Sequence, residues 1–191
     1  MKRLLVLLIL AGAVSCKSTK PNEPSTQDPF IVENLASLSL DEIKQKHPDA
    51  DMKEDVGMFE EGTEEYPYCI LYPDTQDELH ITWANEERTQ INDIRFAEAG
   101  KWKTNAGIQP GTTYQQLNEL NGKPISFYGF GWDYSGAVVW NEGNLENSNL
   151  RVFLAPKNSP EGKFYGDFIL EPTEEELAYM DLKVQTVVYK P

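Results

Sequence analysis

Five aromatic side chains fall within ten residues, Phe127-Tyr128-Gly129-Phe130-Gly131-Trp132-Asp133-Tyr134-Ser135-Gly136, and this is the one stretch whose composition suits a site. Strand-like alternation would put Tyr128, Phe130 and Trp132 on one side and Phe127, Gly129 and Gly131 on the other. Glycine inside a strand marks a bulge or the close approach of another group. Tyr and Trp bring large, rigid contact area and dominate binding hot spots. Two readings follow. Either these rings fill a sheet–helix core, or Tyr128, Phe130, Trp132, Asp133 and Tyr134 form a partner-binding hairpin. The alternative for Asp133 is to cap the turn through an Asx bond.

Catalytic and metal-binding patterns are sparse. His47 and His80 lie far apart, and no further ligands accompany them at the spacing zinc needs. His47 sits at a helix end beside Pro48, where a cation complements the helix dipole. His80 alternates with Leu79 and Ile81 and should face the other side of its strand. Asp49, Asp51, Glu54 and Asp55 lack the glycine of a calcium loop and read as a solvated acidic loop, as do Glu60, Glu61, Glu64 and Glu65. No phosphate-binding glycine loop is present, and Ser135 lacks the Gly-x-Ser-x-Gly turn of a nucleophilic serine. Cys69, in the strand-like run 68–72, reads as a small buried thiol. A carboxylate pair, such as Asp133 with a distant Glu, would leave hydrolysis open if both lined one pocket. No catalytic residue, metal or cofactor is assigned.

The amino terminus has a different logic. Lys2 and Arg3 precede an apolar run from Leu4 to Leu10, and Ala11 to Ser15 are mostly small residues before Cys16. This is a secretory signal over residues 1–15. The apolar run is too short to span a bilayer, which takes about 20 residues. Val14-Ser15-Cys16 resembles the lipobox of bacterial lipoproteins, with Ala13 standing where leucine is usual. The resemblance implies cleavage before Cys16 and lipid on its thiol and new amine; several acyl chains together give stable anchoring. Lys17 takes the place of the aspartate that retains such proteins on an inner membrane, which favours the outer membrane. Residues 16–27 hold no large apolar side chain and read as a tether. Cys69 is then left without a partner for an internal disulfide.

Acidic residues number 31 against 17 basic ones, and removing the signal would take away two of the latter. That balance opposes nonspecific nucleic-acid binding and a basic patch on anionic headgroups.

Residues 28–191 suffice for one medium domain or two small packed ones. Ser39 with Glu42 forms a capping box, flanked by Leu38 and Ile43 as a hydrophobic staple, so a short helix is expected from about Leu40 to Lys46. Thr113 with Gln116 repeats the box, and that helix should close near Leu120, with Gly122 as a left-handed cap. Strands are expected at 68–72, 79–84 and 91–96 after the first helix, and at 126–130, 137–141 and 150–155 after the second. Trp83 and Trp140 would be equivalent positions. The tail adds a strand at 164–170, a helix opening at Thr173 with Glu174, Glu175 and Glu176 in its first turn, and a strand at 183–189. The fold class is α+β: two similar helix-plus-antiparallel-meander modules, 28–106 and 107–191, the second carrying a C-terminal helix and strand.

A capped helix, a closing Asn121-Gly122-Lys123-Pro124 and a three-stranded meander resemble the small module of the BamE/SmpA-OmlA lipoproteins and of tandem-repeat β-lactamase inhibitory protein. Gly111-Thr112-Thr113 and Leu120-Asn121-Gly122-Lys123-Pro124 carry the likeness, with Asn121 inserted. It covers 108–155 well and 35–96 poorly. The resemblance implies a protein-binding scaffold rather than an enzyme. The expectation is therefore a lipid-anchored envelope protein without catalytic activity, holding a protein partner through the aromatic hairpin and the concave face of a sheet. A glycan-binding lipoprotein is the alternative, and a carboxylate-dependent hydrolase the third.

Overall fold

The structure, a computed structural model, describes residues 28–191. The signal segment, Cys16 and the tether lie outside the described residues. The fold is α+β. Strands β1 (Lys53–Phe59), β2 (Glu64–Leu71), β3 (Leu79–Trp83) and β4 (Ile91–Phe96) follow helix α1 (Leu40–Lys46). Helix α2 (Tyr114–Asn121) precedes β5 (Ser126–Phe127), β6 (Val138–Val139) and β7 (Leu150–Ala155). Helix α3 (Glu174–Met180) and strand β8 (Lys183–Tyr189) close the chain. Six strands form an antiparallel sheet in the order β1-β2-β3-β4-β8-β7, and β5 pairs with β6 alone. The last strand of each half, β4 and β7, thus flanks the C-terminal strand β8.

Local chemistry places each helix. Ser39, Thr113 and Thr173 are N-caps whose hydroxyls accept from the third backbone N–H, while Glu42, Gln116 and Glu176 accept from the cap N–H in return. Each cap is worth about 1 kcal/mol. Glycine 122 ends α2 at φ 69°, where a Cβ would be strained. All three helices turn their apolar residues to one side of the sheet. Leu40 and Ile43 of α1, Leu117 of α2 and Met180 of α3 join Cys69, Ile81, Trp83, Ile94, Phe96, Val152, Leu154 and Val187 in a single core.

Several expected strands change. Residues 53–59 form β1, not an acidic loop: Glu54 and Asp55 project from an edge strand, where charge is compatible with pairing on one side only. Glu64 and Glu65 likewise start β2. The strands expected at 126–130 and 137–141 shrink to two residues each, because Gly129 is pinned under the carbonyls of Phe164 and Gly166 and the chain turns there. Residues 164–170 are not a strand. They make a 3-10 turn, Gly162–Phe164, followed by single bridges from Tyr165 to Phe130 and from Ile169 to Tyr128.

Candidate functional site

With the helices on one side, the opposite face of the sheet is open, and strand register says which residues lie on it. Cross-strand partners share a face. Ile70 opposes His80, His80 opposes Arg95, Arg95 opposes Val188, and Val188 opposes Arg151. A second row runs from Tyr68 to Thr82 to Asp93. On the other side of the first row Thr186 opposes Phe153, and a bridge carries that third row to Ala137. The Tyr128 N–H donates to the Ala137 carbonyl, and Tyr128 bridges Ile169. One open face therefore spans the six-stranded sheet and the β5–β6 ladder. Val188 is buried on it, at 3% exposure, yet does not belong to the helix-side core.

Aromatic rings occupy both ends of this face. Tyr66, Tyr68 and Phe59 meet at one end, the Phe59 ring lying about edge-on to Tyr68 at 5.9 Å. At the other end Tyr128, Trp132 and Tyr134 form a ridge, with centroids 5.6 and 5.3 Å apart in succession. The Trp132 indole N–H donates to the Gly129 carbonyl at 2.9 Å, which fixes the ring over the turn. Tyr128 and Trp132 are half-buried, whereas Asp133 and Tyr134 are exposed. Tyr165, Phe168 and Ile169 lie exposed on the segment bridged to the ridge.

Phe130 departs from the expected hairpin surface. It is 5% exposed, with its ring against Phe127 and Tyr165, and so belongs to the core rather than to a partner-binding strip. The expected alternation stops at Gly129, so Phe130 points inward while Tyr128 stays outward.

A cleft of 480 Å³ opens between the two ends, lined by Phe59, Tyr66, Glu78, His80, Thr82, Asn92, Asp93 and Arg95 among others. The His80 Nε2 and a Glu78 oxygen are 2.8 Å apart. That contact, with the Asp74 N–H that Glu78 also accepts, holds the Glu78 carboxyl below its ordinary range. Sequence reasoning placed His80 on the side away from Leu79 and Ile81, and there it lies.

The other singled-out groups lie away from this face. Burial pushes the Cys69 thiol up to about 12. His47 caps α1 but is 3% exposed, between the rings of Phe30, Tyr72 and Trp102. Its Nδ1 lies 3.1 Å from the Tyr72 hydroxyl. Burial, and then the nearby Lys46, lower its pKa, so it does not supply the cation expected at the helix terminus. Among the described residues, no group of three or more His, Cys, Asp or Glu side chains is placed to hold a metal ion. Nor is any described helix long and apolar enough to cross a membrane.

No protein-family model and no curated protein matches this sequence. Among solved structures, the chain is similar to the uncharacterized protein yfeY from Escherichia coli, with a TM-score of 0.46 and 14% identity over 78% of this chain and 88% of that one.

Sequence reasoning passed over Arg95 and Arg151. The signal was present in Ile94-Arg95-Phe96 and Leu150-Arg151-Val152, each an arginine between two buried apolar residues. That pattern places a cation on the outer face of a strand.

Proposed function

We propose that this chain is a non-catalytic binding protein of the cell envelope, tethered through lipid on Cys16 to the outer membrane, and that it holds a protein partner on its open sheet face. The observation that carries the reading is the open face itself, with aromatic rings at both ends and arginine between them. Tyr, Trp and Arg are the residues enriched at protein interfaces, and Lys and Glu are depleted there. The lipobox-like Val14-Ser15-Cys16 and the lysine after it support the anchor and the membrane.

Glycan binding draws less support. Sugar rings stack best on a flat strip, and the planes of Trp132 and Tyr134 are inclined at 56°. Hydrolysis draws less again. Asp133 projects from an exposed turn, and Glu78 in the cleft is held below its ordinary range, the reverse of what a general acid needs.

The test is site-specific photocrosslinking in intact cells of the native host. A photoreactive residue at position 134 is expected to yield a discrete protein adduct, and one at the exposed Tyr179 on α3 to yield none. No adduct at 134, or the same adducts at both positions, would remove the reading. Mass spectrometry of the mature protein should show a lipid-modified amino-terminal cysteine; an unmodified or uncleaved terminus would overturn the anchor.

A further inference from the structure

We propose that Arg95 and Arg151 are the anion-reading centre of the open face, positioned to take two carboxylates from an extended acidic segment of the partner protein. This rests on the protein-binding reading above. Both arginines oppose Val188, one from each side, so they share a face and stand two strand spacings apart, about 10 Å. Their aliphatic stems are the groups placed to cover Val188, which leaves the guanidinium heads outward.

Their lack of partners is the second observation. Carboxylates outnumber cations nearly two to one in this chain. Among the described residues, Arg88 and most lysines accordingly find an acidic partner within 4 Å, as Arg88 and Lys44 do with Glu54 and Lys103 does with Asp28. Arg95 and Arg151 form no such ion pair with any described residue. Two exposed guanidiniums on one face of an acidic protein leave bidentate carboxylate-binding capacity unused.

Charge and shape together select the occupant. An anionic membrane is an extended sheet of charge and would meet the repulsion of the whole chain, of formal charge −14, whereas two carboxylates need meet only the arginine pair. A polyanion with a charge on every unit would need a long cationic track, and here Asp93 and Glu78 stand beside Arg95. A polypeptide fits better. Extended chain advances about 3.3 Å per residue and turns every second side chain to one face, so carboxylates two or four residues apart reach both arginines from that face. Apolar side chains between those carboxylates would meet Phe153 and the aliphatic stems of the two arginines.

Titration of the full mature chain in detergent micelles tests this, followed through the arginine Nε–H and tryptophan indole NMR signals. The probe is a synthetic peptide with two glutamates four residues apart and leucines around them, beside the same peptide with glutamines. The glutamate peptide is expected to shift both arginine signals and that of Trp132, and to bind at least tenfold more tightly than the glutamine peptide. Arg95→Gln with Arg151→Gln should remove that preference, and Arg95→Lys with Arg151→Lys should keep part of it. Circular dichroism confirms that the variants are folded. Equal affinity for the two peptides, no binding of either, or a response to inorganic phosphate, polyglucuronate or anionic vesicles but not to the glutamate peptide would each overturn the proposal. Capture from position 134 that persists in the double glutamine variant would overturn this proposal and leave the protein-binding reading standing.

Discussion

The side-chain amide of Asn121 occupies the space that a Cβ on residue 143 would fill, with its nitrogen and oxygen both 2.2 Å from that point. Asn121 is fully buried at the end of α2. It donates to the carbonyls of Lys123 and Trp140 and accepts from the Leu145 N–H, so one amide joins the helix end to the loop between β6 and β7. This is the residue that departs from the lipoprotein-module pattern at the sequence level. Replacing it with Ala should cost about 1–3 kcal/mol for each buried group left without a partner. Gly143→Ala should be comparably harmful, because the added methyl displaces the amide. Urea unfolding of both variants gives the measurement, and a loss below about 0.5 kcal/mol in each would contradict the bracing role.

Acid should weaken the fold through His47. Its pKa is lowered in the folded state, first by burial, so folding favours the neutral ring. The unfolded chain then binds more protons over the interval below about 6.5. The contribution is fully present above that value and is lost as pH falls through the lower folded value. The melting temperature is therefore expected to drop between pH 7.5 and 5.5 in the wild type. A His47→Gln variant should show a flatter profile there, and identical slopes for the two proteins would refute the assignment.

The Cys69 thiol should not react with a soluble disulfide reagent in the native state, being buried and held at about 12. Reaction should begin only at denaturant concentrations where the fold is lost, with the two transitions superimposed. Rapid labelling of the folded protein at neutral pH would show that the β2 environment is more open than described.

Two neighbouring aromatics should behave oppositely. Phe130→Ala removes a core ring and is expected to cost about 3–5 kcal/mol. Trp132→Ala, on the ridge, should change stability by much less and reduce partner capture from position 134. Chemical denaturation and crosslinking on the same pair of variants separate the two roles, and equal stability losses would merge the ridge with the core.

The legibility of these features from sequence follows the range of the interactions that create them. The three capping boxes are local, set by residues three apart, and the helix starts appear where the sequence places them. Strands β3, β4, β7 and β8 alternate strongly enough to be read directly. Strand β1 does not: Lys53-Glu54-Asp55-Val56-Gly57 has the charge and glycine of a loop, and only pairing along β2 makes it a strand. The short β5 and β6 are set by contacts between Gly129 and a segment more than thirty residues away. The ridge residues were found because they are neighbours in sequence. The rest of the open face was not, because Tyr68, His80, Arg95, Val188 and Arg151 become neighbours only through register.

Strand β1 also fixes where the sheet stays unfinished. Among the described residues its far side has no neighbouring strand, while at the opposite end β7 is followed by the β5–β6 ladder. Val56 and Met58 are exposed along it, at 49% and 58%. An added strand, from a second molecule or from a misfolded neighbour, therefore finds an open edge of the six-stranded sheet beside residues 53–59. A lysine in place of Val56 would be the simplest safeguard against such lateral growth.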